Sequence, residues 1–121
     1  MTPIYVMNAD GSNLREITPR ECPGGEPHDP NPDWSPDGRL IAYVRAHDVW
    51  VMNADGRSPV RLTDNRSLEV EPDWSPDGQR IVFGRLGGTS FSEIVVMNAD
   101  GTHVRRLTEG GGPRWRPVAA P

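Results

Sequence analysis

Hydrophobic residues in this chain fall into short runs that are cut, again and again, by Gly, Pro, Asp and Asn. At Leu40-Ile41-Ala42-Tyr43-Val44 and at Ile81-Val82-Phe83 the apolar residues are consecutive. That suits a strand covered on both faces. Between 29 and 34, and again between 69 and 74, polar and apolar residues alternate. Asp29, Asn31 and Asp33 share one parity, with Pro30, Pro32 and Trp34 on the other; Glu69, Glu71 and Asp73 oppose Val70, Pro72 and Trp74. Period-two alternation predicts strands with a column of carboxylates along one face.

The pattern repeats. Val6-Met7-Asn8-Ala9-Asp10-Gly11 returns at Val51 to Gly56 and at Val96 to Gly101, a step of 45 residues each time. Apolar residues precede each copy, and a second extended run follows, ending at Ile17-Thr18, Leu62-Thr63 or Leu107-Thr108. The Asp-Gly between them is a hairpin signal, so each copy predicts two paired strands, c and d. Two more strands come from Pro32-Asp33-Trp34-Ser35-Pro36-Asp37-Gly38 and its copy at Pro72 to Gly78, with a worn version at Pro113-Arg114-Trp115-Arg116-Pro117. Strand a ends at the tryptophan. Pro then presets the first corner of a type I turn, Asp tolerates the second, and Gly takes the left-handed position before strand b.

The unit a-b-c-d, four antiparallel strands in about 40 residues, has the period and content of a β-propeller blade. Loop lengths vary around it. From Thr18 to Trp34 is 16 residues and from Thr63 to Trp74 is 11, while the connection before strand c is lengthened at 86–92. Insertions confined to loops are expected of repeat architectures. The expected layout is strands c-d at 1–18, whole blades at 29–63 and 69–108, and a lone strand a at 113–117. That is about 2.5–3 blades in an all-β chain, too few to close a ring alone.

Composition narrows the function. Gly and Pro number 13 each, natural for many strands joined by turns, and the net charge of −4 implies no basic surface for nucleic acid. Cys22 is the single cysteine, so an intrachain disulfide is excluded and no zinc site has its usual ligands. No charged leader, apolar signal core or run of membrane-spanning length is seen, which leaves a cytoplasmic chain, a processed one or a piece of something longer.

Pro-Asp-Trp-Ser-Pro-Asp-Gly, then Ile-Ala-Tyr, then Asp-Val-Trp-Val-Met-Asn-Ala-Asp-Gly and Arg-Leu-Thr, resembles the PD40 (TolB-like) propeller repeat, over nearly the whole chain. The resemblance implies four-stranded blades arranged in sixes. It implies relatives such as the periplasmic propeller of the Tol–Pal envelope system, and propellers that accompany prolyl-oligopeptidase-type peptidases. Fold does not fix function. Because an open stack leaves apolar faces and strand edges uncovered, the expected assembly is a homodimer whose two copies complete a six-bladed ring. A three-chain ring is the lesser alternative.

In a propeller, strand a lines the central channel, so Asp29, Asp33, Glu69, Glu71 and Asp73 are the candidate binding residues. A protein or peptide is the expected partner, with loops 19–28 and 86–92 shaping the rim. Of these acids Asp29, Asp33, Glu71 and Asp73 are the candidate ligands if the channel holds Ca²⁺, which prefers several oxygens. The competing expectation is acids paired with Arg39, Arg45 or Arg85, or simply solvated. Trp34, Trp74 and Trp115 are expected in the core between blades, with Trp50 beside them. Asp10, Asp37, Asp55, Asp77 and Asp100 are explained by turn chemistry. His28, His47 and His103 occupy three different repeat positions and make no repeated site with one another or with Cys22. With no Gly-x-Ser-x-Gly elbow and no phosphate loop, a non-catalytic scaffold is expected over an enzyme.

Overall fold

The computed structural model describes residues 3–17, 31–64, 67–86 and 92–109. Every regular element among them is a strand. β1 (Tyr5–Val6) pairs with β2 (Arg15–Glu16) as a hairpin. A first four-stranded sheet follows in the order β3 (Asp33–Trp34), β4 (Leu40–Arg45), β5 (Asp48–Asn53), β6 (Val60–Arg61). A second is built from β7 (Leu68–Trp74), β8 (Arg80–Leu86), β9 (Ser92–Asn98) and β10 (Arg105–Glu109). Both are antiparallel meanders in chain order, with strands where a-b-c-d are expected. Trp115 and the strand expected at 113–117 lie outside the described residues.

The turns form for the reasons their residues suggest. In the β3–β4 turn Gly38 takes φ +73° and its amide donates to the Ser35 carbonyl at 2.9 Å. Asp37 accepts from the Arg39 amide at 3.0 Å and from the Ser35 hydroxyl at 2.7 Å, while the Leu40 amide donates to Ser35 Oγ at 3.0 Å. Ser75, Asp77 and Gly78 repeat this arrangement between β7 and β8. In the three Asn-Ala-Asp-Gly turns the glycines stand at φ +86°, +84° and +87°, and Asp10, Asp55 and Asp100 each accept from the amide two residues on at 2.9 Å. In each, the left-handed glycine is the fourth residue of the turn and its amide donates to the Asn carbonyl, which keeps the strand twist. The β4–β5 turn is tighter, with Ala46 at φ +48° and His47 at +72°. Two consecutive left-handed residues make a primed turn, which an Ala-His pair does not announce in sequence.

Packing proceeds in layers. Ile41, Tyr43 and Met52 on one face of the first sheet bury against Ile4 and Ile17 of the β1–β2 hairpin. Its other face, Ala42, Val49 and Val51, buries against Trp74, Ile81, Phe83, Val95 and Met97 of the second sheet. β4 is therefore covered on both sides, whereas β8 has a described layer only against its Ile81 and Phe83 face. Glycine sets the close approach: a Cβ on Gly56 would collide with the Ile17 carbonyl, and one on Gly101 would lie 3.0 Å from the Leu62 carbonyl oxygen. Ile17 and Leu62 are repeat equivalents, so each hairpin turn sits on the last strand of the layer before it.

The tryptophans differ. Trp74 is 5% exposed, whereas its equivalent Trp34 is 46% exposed. Trp34 pairs with Ile41 and so faces the β1–β2 layer, which offers it only a two-stranded hairpin. The expected core position holds for Trp74 and not for Trp34. Trp50 is half-buried, with the Arg45 guanidinium 4.8 Å from its ring centre.

Candidate functional site

The two strands that carry the candidate acids, β3 and β7, are the edge strands of adjacent sheets and lie against each other. They are joined by Asp33, whose Oδ2 accepts from the Trp74 amide at 3.0 Å while its carbonyl accepts from Trp74 Nε1 at 3.1 Å. The carboxyl of Asp33 is pushed above its ordinary value, first by burial and then by the neighbouring Asp73 carboxylate, partly offset by the Trp74 amide. Two equivalent acids from successive sheets are thus brought together.

The single column of carboxylates expected along 69–73 is not formed. Val70 pairs with Gly84 and Asp73 with Val82, so two residues of β7 oppose Phe83 alone. Glu71 stands at φ +52° in this bulge, and its equivalent Asn31 at +44°. A bulge inserts one residue and flips the alternation beyond it. Glu69 therefore falls opposite Arg85, on the face of Phe83 and Ile81, whereas Asp73 falls opposite Val82 on the other face. The physical reason is Pro72, which has no amide to give a regular ladder and marks such irregular positions.

The four described acids end in different surroundings. Glu69 is fully buried, its amide donating to the His47 carbonyl at 2.9 Å and its carboxylate accepting from Arg85 Nε at 3.2 and 3.3 Å. It is half of an internal ion pair. Asp33 and Asp73 are half-buried, and Glu71 is exposed. Asp29 lies outside the described residues, as do Cys22, His28, loop 19–28 and positions 87–91 of the other rim loop. Among the described residues no group of three or more His, Cys, Asp or Glu is placed to hold a metal ion. The Ca²⁺ expectation thus has no assembled ligand set among them. His47 and His103 sit in separate turns, between β4 and β5 and between β9 and β10. Among the described residues no helix is long and apolar enough to cross a membrane.

One repeated feature escapes the sequence reading. Asp48 at the start of β5 is buried and accepts from Arg61 Nε at 3.0 Å and from Thr63 Oγ1 at 3.2 Å, while the Val49 amide donates to Thr63 Oγ1 at 2.9 Å. The second sheet repeats the pair as Glu93 and Arg106, 3.0 Å apart but more exposed. Aligning the 45-residue copies puts Arg61 on Arg106 and Asp48 on Glu93. That alignment is the signal by which the pair could have been found.

Comparison with known proteins agrees with this architecture. The family described as the TolB beta propeller domain (PD40) matches residues 31–121. A putative TolB from Agrobacterium tumefaciens superposes with a TM-score of 0.76 at 28% identity, over 91% of this chain and 42% of its own. TolB from Acinetobacter baumannii superposes at 0.70 and 23% identity, over 88% of this chain and 26% of its own. The chain thus spans less than half the length of either. No curated protein matches it significantly. The chain belongs to the TolB β-propeller family.

Proposed function

We propose that this chain is a non-catalytic propeller scaffold that completes a six-bladed ring with a second copy of itself and holds a protein or peptide segment at the acidic edge of its inner strands. The observation that carries the reading is the state of the first layer. Tyr5 and Met7 are 55% and 60% exposed, although their repeat equivalents Val95, Met52 and Met97 are buried against a neighbouring layer. Apolar side chains left open where their equivalents are packed against a layer favour an interaction site.

The binding edge is the pair β3 and β7. Asp33, Glu71 and Asp73 lie along it, and the bulge turns Glu71 out to solvent. Closing the ring would bring the equivalent edges of all blades around one axis and multiply this negative charge, favouring a cationic segment. Family membership supports a scaffold rather than an enzyme. The test is a titration of a labelled lysine-rich peptide, read by fluorescence anisotropy at low and high salt. Binding should weaken steeply with salt and several-fold in Glu71→Gln, because exposed charges are screened. Binding that ignores both changes would remove the acidic edge as the site.

A further inference from the structure

We propose that the outer face of the second sheet is the seat for the Asn8–Gly11 turn of a second copy, with Gly11 placed on Leu107. The proposal rests on the ring assembly above and names the contact that closes it. The chain makes the equivalent contact twice within itself. Gly56 sits on Ile17, and Gly101 sits on Leu62 with its carbonyl oxygen 3.0 Å and its Cβ 3.5 Å from where a glycine Cβ would be. Ala99 of the same turn packs with Leu40 and Leu62 against the core. In each case a hairpin turn rests on the final strand of the preceding layer.

Both halves of a third such contact are present and unmade. Gly11 has nothing within 4 Å of its Cβ position. Leu107, the equivalent of Ile17 and Leu62, is 51% exposed, whereas Ile17 is 5% exposed. Gly11 lies on the β1–β2 layer and Leu107 on the second sheet, with the first sheet between them. Stacked sheets lie about 10 Å apart, so the two surfaces are separated by roughly 20 Å and cannot meet within one copy. Two copies joined head to tail would satisfy both, and such an interface closes when the rotation allows it.

The seat is also shaped and charged for this turn. A cavity of about 280 Å³ on the second sheet is lined by Arg80, Val96, Met97, Asn98, His103 and Arg105. Arg80 and Arg105 replace Leu40 and Val60, their equivalents on the first sheet. The incoming turn brings Asp10, whose carboxyl is held below its ordinary value by the Ser12 hydroxyl and amide and so stays ionised. An acidic turn therefore meets a basic seat, which favours this register over an apolar neighbour.

Methionine oxidation reads the contact directly, because oxidation by peroxide follows exposure. Met7 flanks the turn and should become as protected as Met52 and Met97 once it is seated. In the wild-type chain, at concentrations where light scattering gives two copies, Met7 should oxidise several-fold more slowly than in dilute solution, with Met52 and Met97 protected throughout. Leu107→Asp, at an exposed position, should give a folded monomer in which Met7 oxidises rapidly. A two-copy mass that survives Leu107→Asp, with Met7 still reactive in the wild type, would overturn this seat while leaving self-assembly standing. A wild-type chain that is monomeric at every concentration would overturn both.

Discussion

Replacing Asp48 with alanine asks whether burial sets the strength of the ion pair that both sheets carry between their last two strands. Asp48 is 1% exposed and loses hydrogen bonds from two Arg61 nitrogens and from the Thr63 hydroxyl. Bonds to a charged group contribute about 1.5–3 kcal/mol each in favourable cases. They do not sum here. Arg61 is 44% exposed and keeps Asp64 as a partner 3.0 Å away, so it is not left as a buried charge, and Thr63 still accepts from the Val49 amide. The expected net loss is about 2–4 kcal/mol, below the full cost of stranding a buried ion. Glu93→Ala supplies the internal control, because Glu93 and Arg106 are 30% and 61% exposed. An exposed pair contributes about 0.2–1 kcal/mol. Urea unfolding followed by circular dichroism separates the two. With a mid-range slope of about 2 kcal/mol per molar, Asp48→Ala should lower the midpoint by about 1–2 M and Glu93→Ala by a small fraction of that. Equal shifts would refute the reasoning that desolvation decides the difference.

Three further outcomes follow from the turns and the β3–β7 edge. Gly56→Ala and Gly11→Ala place alanine in the same left-handed backbone, which costs about 1–2 kcal/mol in each. Only Gly56→Ala also drives a methyl into the Ile17 carbonyl, so in dilute solution it should unfold at clearly lower urea than Gly11→Ala; equal midpoints would refute the close approach between layers. Asp33→Asn keeps an acceptor for the Trp74 amide and removes the charge beside Asp73. Because the folded value of Asp33 is raised by burial and then by Asp73, its stabilising effect is present below the ordinary 3.8 and lost as pH rises through the folded value. Asp33→Asn should therefore raise the urea midpoint at pH 7 and bring no gain at pH 3; a gain at both would point to packing instead. Asp10, Asp37, Asp77 and Asp100 have the opposite sign, each lowered first by the hydroxyl of Ser12, Ser35, Ser75 or Thr102. Their contribution is complete above pH 3.8 and is lost as pH falls through the lower folded values, so Asp37→Asn and Asp77→Asn should flatten the acid limb of a stability–pH curve.

The strands and turns were legible because their cause is local. Ser35-Pro36-Asp37-Gly38 and the three Asn-Ala-Asp-Gly turns carry their own φ preferences and their own hydrogen bonds, and they recur at fixed spacing. The β3–β7 edge was legible only in part. Alternation placed Glu69, Glu71 and Asp73 on one face, but Pro72 cannot join a regular ladder, and the bulge it marks puts Glu69 and Asp73 on opposite faces. Glu69 then finds Arg85, a pairing the sequence allowed without locating it. Trp34 shows another limit of reading repeats by residue type. It has the same neighbours in sequence as Trp74, yet its exposure depends on which layer stands beside it. The Asp33–Asp73 meeting needs two edges from different sheets, and no single-strand pattern encodes it.

Ring completion by a second copy is the claim on which the binding edge and the Gly11 seat both depend. Light scattering behind size exclusion, over a range of concentrations, tests it most directly. The account predicts a stable species of twice the 13.4 kDa chain mass. A well-folded species of one chain mass at every concentration would contradict it.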